Sequence, residues 1–124
     1  MIDFTNKNLI KLKPSNISEG EKSVHSILIS GEEVKFSFTS MRDKLVFTNK
    51  RIIAINVQGI TGKKVDYTSI PYSKIQVFSL ETSGTFDLDS ELDVTISGLG
   101  TVRFELSAQT DITALGQYMS SHIL

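Results

Sequence analysis

The 124-residue chain has no cysteine. Disulfides, zinc–thiolate sites and cysteine nucleophiles are therefore excluded, and stability has to come from packing. It also lacks any apolar run of about 18 residues or more, so no segment reads as a membrane-spanning helix. The N-terminal stretch MIDFTNKNLIKLK breaks its apolar residues with Asp3, Asn6, Lys7 and Lys11. It holds no apolar run of the roughly 7 to 15 residues that a secretory signal needs, and the cytoplasm is the expected location. A strong excess of either charge is missing too: the net charge is −1, which argues against a general nucleic-acid binder.

What is present fits one globular domain. The length suits a single core, and the apolar share of 40% and charged share of 22% are ordinary globular values. The charges are unevenly placed along the chain. Residues 1–80 carry twelve Lys/Arg and seven Asp/Glu, net +5, while residues 81–124 carry Arg103 against seven acidic residues, net −6. Either the folded surface is polarised, or strands from the two segments interleave and average the difference out.

Ser18 followed by Glu21 forms a capping box that predicts a short helix. Val24, Ile27 and Leu28 make its apolar stripe, and Gly31 is placed to end it. From Glu32 the period changes to two. Val34, Phe36 and Phe38 alternate with polar residues, and KLVFT, RIIAINV, Val65/Tyr67, Ile75/Val77, Leu92/Val94/Ile96 and Val102/Phe104/Leu106 follow, predicting seven strands. Gly59 and Gly62, Pro71, Ser83-Gly84 and the SGLGT stretch separate them as turns. After Ser107 the helical period returns, with Thr110 as N-cap, Asp111 in the first turn, and Ile112, Leu115, Met119 and Ile123 along one side. The expected core comprises Val34, Phe36, Phe38, Phe47, Ile53, Ile55, Val65, Ile75, Val77, Val94, Ile96, Val102 and Phe104, with Leu115 and Met119 laid over it. Mostly antiparallel strands closed by one amphipathic helix predict a mainly β fold: a bent sandwich or partly open barrel.

The stretches FTNKR, QGITGKK, SIPY and FDLDSEL, in this order and spacing, resemble the bacterial pleckstrin-homology domain family, the first bacterial PH group. Residues 1–15 then read as an N-terminal extension and residues 16–124 as a single PH-like domain. The resemblance implies a seven-stranded, sharply bent antiparallel sandwich capped by a C-terminal helix, and no enzymatic activity; no cofactor is expected. It also implies homo-oligomeric rings.

Several motifs invite chemistry and fall short of it. QGITGKK places a lysine behind a glycine, as a phosphate-binding loop does. That loop needs four residues between its glycines, Ser or Thr after its lysine and a helix to follow; here two residues separate Gly59 from Gly62, Lys64 follows Lys63, and a strand pattern comes next. A hairpin connection is the reading. Asp87, Asp89 and Glu91 occupy the first, third and fifth places of a calcium-loop pattern, but Leu92 stands where glycine is required and Gly98 where the bidentate glutamate belongs, so no metal is expected. His25 and His122 lie in no recognised catalytic pattern.

In eukaryotic PH domains, basic residues of the first hairpin clamp inositol phosphates. Lys35, Arg42 and Lys44 match that pattern in part, with Asp43 between the last two and a lysine replacing the final arginine. The simpler reading is three solvated charges around a turn. Two functions remain. One is a homo-oligomeric scaffold for protein partners, joined head to tail between an acidic patch (Asp87, Asp89, Glu91) and a basic one (Lys50, Lys63, Lys64). The alternative is a binding domain for an anionic lipid headgroup or phosphorylated ligand at Lys35, Arg42 and Lys44, with membrane association less favoured than protein partners.

Overall fold

The computed structural model describes residues 1–4, 9–59, 61–84 and 89–124. Among them the chain forms β1 (Leu9–Pro14), α1 (Ile17–Val24), β2 (Val34–Thr39), β3 (Asp43–Thr48), β4 (Arg51–Gln58), β5 (Lys64–Pro71), β6 (Ile75–Glu81), β7 (Ser90–Ile96), β8 (Gly100–Leu106) and α2 (Ile112–Ile123). Short 3₁₀ turns at His25–Ile27 and Tyr72–Lys74 complete it. The strands form one sheet in the order β5-β4-β3-β2-β1-β8-β7-β6. Ile70 of β5 and Val94 of β7 lie near opposite edges of that order yet share one core, so the sheet curls over its own inner face. α2 then lays Leu115 and Met119, both buried, against the same core. The architecture is the mainly β, curled, helix-capped fold expected. No described helix is long and apolar enough to cross a membrane.

Among the described residues eight strands are present where seven were expected. In β1 the buried Leu12 stands between the exposed Lys11 and Lys13, too short an alternation to be read as a strand. Its partners are distant in sequence. It runs parallel to β8 through Leu9↔Arg103 to Leu12↔Leu106 and antiparallel to β2 at Lys13↔Thr39 and Pro14↔Phe38. Residues 1–4 also join the domain: Ile2 and Phe4 are core residues, and Thr101 donates its N–H to the Phe4 carbonyl at 3.0 Å. Gly100 makes that approach possible, since any Cβ there would collide with the Phe4 carbonyl.

The core is two clusters. Ile52 and Ala54 of β4 face the main one, whereas Ile53 and Ile55 face a smaller one with Val24, Val34 and Val46, beneath α1 and its 3₁₀ turn. Ile27 and Leu28 pack there as well, so the stripe Val24, Ile27, Leu28 does face inward. Val34 belongs to this second cluster, although Phe36 and Phe38 belong to the first. A register irregularity between Val34 and Phe36 reverses the side-chain phase. The same device corrects the expectation for β6. A shift between Ile75 and Val77 leaves Ile75 buried and turns Val77 outward, 58% exposed, while Phe78 and Leu80 pack on the core. Val65, on edge strand β5, is also exposed; Thr68 and Ile70 are the residues β5 buries.

Both helix starts differ from expectation. α1 begins at Ile17 with Asn16 as N-cap, so Ser18 and Glu21 sit inside the helix and form no capping box. The bond from Ser15 N–H to Ser37 O fixes where the chain leaves the sheet, and Gly20 lets α1 lie directly against Ser37. At α2 the N-cap is Asp111, whose carboxylate accepts from the Ala114 N–H at 3.0 Å; the Thr110 hydroxyl is buried without a hydrogen-bond partner. A carboxylate is the stronger acceptor for a helix N-terminus.

Candidate functional site

The FTNKR stretch turns out to be structural. Thr48 Oγ1 accepts from the N–H groups of Lys50 and Arg51, both at 3.0 Å, which folds the β3–β4 hairpin back on itself. Asn49 bonds across to the Gly31 carbonyl and the Glu33 N–H. Arg51 grips the Glu32 carboxylate with two nitrogens, at 2.9 and 3.0 Å, and reaches the Ile27 carbonyl at 2.7 Å and Ser69 Oγ at 2.9 Å. The Glu32 side chain is fully buried. Burial pushes its carboxyl up, but hydrogen bonds from Arg51, Thr48 and the Ile29 N–H, with the Arg51 charge, outweigh this and hold it below 4.5. SIPY serves the same clasp: the Tyr72 hydroxyl donates to the Thr48 carbonyl at 2.7 Å, and burial raises its ionisation well above the ordinary range.

The residues expected to bind anions are not gathered. Lys35 is paired with Glu33 at 2.9 Å near the start of β2. Lys44 stands in register with Thr39 at the other end of that strand and donates to Ser23 Oγ of α1. Arg42, in the turn between them, donates to the Gly59 carbonyl at 3.0 Å. QGITGKK is the β4–β5 hairpin connection, with Gln58 opposite Lys64 and both Gly59 and Gly62 at positive φ. It carries Lys63 and Lys64, both exposed, at the start of an edge strand.

On the acidic side Asp87 lies outside the described residues. Glu91 of β7 is 3.5 Å from Arg103 of β8, and Asp93 takes the same guanidinium through two bonds, at 2.7 and 2.9 Å. The hydrogen bonds that Arg103 donates to Asp93 hold its charge firmly. Glu105 lies 3.8 Å from Lys11 of β1. The outer face of β1, β8 and β7 is thus a cross-strand ladder of both signs, in which β1 lends positive charge to the acidic segment. Lys50 sits in the β3–β4 hairpin, away from Lys63 and Lys64 in the β4–β5 turn. His25 is exposed in the first 3₁₀ turn. His122 packs between Tyr118 and Tyr72, ring centroids at 4.3 and 5.1 Å. Among the described residues no three His, Asp or Glu side chains converge as a metal site would need.

What local reading missed is the sheet's openness. Among the described residues β5 and β6 are its two free edges. β5 presents Val65 and Tyr67, 37% and 40% exposed, beside Lys63 and Lys64; β6 presents Val77 and ends at Glu81, opposite Glu91. The signal was present as apolar residues on strands with lysines or glutamates at their ends, a common edge composition. Strand order, which makes them edges, is not local information.

Residues 3–123 match the family model described as the bacterial PH domain. The uncharacterized protein YjqA of Bacillus subtilis (strain 168) is 53% identical over 78 residues, a match spanning 63% of this chain and 62% of that relative, less than two thirds of its length. A crystal structure of a protein with a pleckstrin-homology domain from Shewanella loihica is 38% identical, with a TM-score of 0.80 over 92% of this chain and 98% of that one. A pleckstrin homology domain from Shewanella amazonensis is 40% identical, with a TM-score of 0.67 over 89% and 90%.

Proposed function

Since the chain belongs to the bacterial PH domain family, we propose that it is a non-enzymatic interaction module which assembles with copies of itself, in a ring, and presents repeated surfaces to protein partners. The observation that carries this is the pair of free edges. The sheet order ends at β5 and β6, and among the described residues neither has a strand partner on its outer side, so N–H and C=O groups along both edges are open to another strand. The β5 edge is apolar and begins with lysine; the β6 edge is apolar and ends at Glu81. Contact between two different edges of neighbouring copies is heterologous, and it closes into a ring when the rotation allows. Val65, Tyr67 and Val77 supply apolar contact, and the opposite charges supply register and association rate.

Light scattering across protein and salt concentration tests the reading. The expected result is an oligomer whose assembly slows with added salt and which Val77→Glu or Tyr67→Glu reduces to a folded monomer. A parent that stays monomeric at high micromolar concentration overturns it. The alternative, an anionic headgroup or phosphorylated ligand at Lys35, Arg42 and Lys44, gains no support from the arrangement, because each of the three is engaged by a different neighbour.

A further inference from the structure

We propose that an extended segment of a protein partner, carrying an acidic residue, adds as a strand in the cleft where β1 leaves β8 and joins β2. From the preceding reading this takes only that partners are proteins; it does not need the ring. β1 is shared unequally between its neighbours. Leu9–Leu12 are in register with β8, and only Lys13 and Pro14 with β2. Successive residues of a strand direct their N–H and C=O to alternate sides. Ser107 donates its N–H to the Leu12 carbonyl at 2.9 Å, so the even residues of β1 face β8 and the odd ones face β2.

The β2 side of the ladder stops at Thr39, opposite Lys13. Two residues on, Met41 would stand opposite Lys11, but it lies in the bend of the β2–β3 turn with its side chain wholly exposed. On this side the N–H and C=O of Lys11 therefore face no strand partner among the described residues. That space is a cleft of about 510 Å³ lined by Lys11, Lys13, Ser40 and Met41, with Asp89 and Glu105 also on its walls. An interrupted strand edge inside a sheet is a template for another strand.

Side-chain chemistry selects the occupant. Lys11 and Lys13, two residues apart, share the outer face. Lys11 is held only loosely, 3.8 Å from Glu105 and with its side chain 76% exposed, and Lys13 makes no ion pair among the described residues. In an antiparallel pair the residue directly opposite Lys11 both turns its side chain to this face and offers the N–H that the Lys11 carbonyl accepts. An acidic residue fits there. A compact dianion fits less well, since the Glu105 carboxylate, 12% exposed, lines the same cleft. A peptide brings donors and acceptors along its length and tolerates walls of both signs.

The test is an NMR titration of the full-length, ¹⁵N-labelled protein with the capped peptide acetyl-EVTVT-amide, whose glutamate comes first because Thr39 already fills the place opposite Lys13, alongside gel filtration of the same samples. Saturable shifts centred on Lys11, Lys13 and Thr39–Met41 are expected, with Kd of about 0.1–1 mM for so short a strand. Lys13→Glu, at an exposed site, should weaken binding about fivefold or more. Methylating the glutamate nitrogen of the peptide should abolish it, leaving the protein unchanged. Absence of saturable shifts overturns the proposal, as does undiminished binding of the N-methyl peptide. Acetate or inorganic phosphate giving the same shifts with the same Lys13 dependence overturns it in favour of a plain anion site. Peptide binding by a protein that gel filtration shows to be monomeric sinks the assembly reading alone; an oligomer that ignores the peptide sinks this one alone.

Discussion

The two halves of the sheet are built from the same strand chemistry and differ in how many of their faces are covered. In β4, Ile52, Ile53, Ala54 and Ile55 are all at most 3% exposed, because the main core lies on one side and α1 with its 3₁₀ turn on the other. In β7 and β8, the buried Leu92, Val94, Val102, Phe104 and Leu106 alternate with Glu91, Asp93, Arg103 and Glu105 on a half-exposed outer face. A continuous apolar run reports two covered faces, and clean alternation reports one. α1 is only eight residues long and would not persist alone. What it adds is a second apolar layer over the first half, and the ion pairs follow: Arg51–Glu32 is buried under that layer, whereas Arg103–Asp93 is laid on an open face.

The most severe way to break the comparison is to remove the element both halves share. Ending the chain at Ser107 deletes α2 and uncovers the core that Leu115 and Met119 seal, each worth about 1.5–3 kcal/mol on burial. With Ile112 and Ile123 added, the loss rivals the 5–15 kcal/mol that typically holds a domain folded. The truncated chain should bind hydrophobic dye and melt without cooperativity. A sharp melt near the full-length midpoint would contradict this packing.

Making the same substitution in each half sharpens the contrast. Arg51→Met leaves the Glu32 carboxylate buried without its partner and should cost about 3–5 kcal/mol in urea unfolding at pH 7. Its pH dependence gives a second readout. In the parent the folded Glu32 carboxyl is held below 4.5, so its contribution is fully present above that pH and is lost as pH falls through the lower folded value. In Arg51→Met the opposing effect of burial dominates and raises the carboxyl above 4.5, so acidification should recover stability as pH falls through that raised value towards 4.5, a range in which the parent's Glu32 contribution is constant. Parallel pH profiles for the two proteins would refute the account of the clasp.

The smallest effect belongs to Arg103→Met. Its partners Asp93 and Glu91 are 21% and 23% exposed and can be rehydrated, so the cost should be about 1 kcal/mol or less, and less still in high salt. A loss comparable to that of Arg51→Met would mean that the outer face of the second half is not open to water.

Much of this was legible residue by residue. The glycines of the β4–β5 turn dispose of the phosphate-loop reading, and the stripe Leu115, Met119 faces the core as its spacing requires. What failed did so where a non-local choice overrode a local pattern. Val77 follows the same alternation as Ile75 until a bulge reverses it; Ser18 and Glu21 satisfy the form of a capping box, but the Ser15–Ser37 bond starts the helix earlier. The acidic and basic candidates were grouped by position along the chain, and folding regroups them: Glu105 finds Lys11 of β1, and Lys35, Arg42 and Lys44 disperse along a hairpin.

The sequence by itself determined which segments become strand or helix over most of the chain, because side-chain period and turn residues act within a few bonds of the backbone they bias. It also excluded thiol chemistry through the missing cysteine. Only the tertiary structure decided the rest. It set β1 between β8 and β2, made β5 and β6 the edges, buried Glu32 against an arginine nineteen residues away, and left Lys11 facing an open cleft. Each of these depends on which distant strand arrives alongside, a choice settled by the burial available to the whole chain rather than by any window of it.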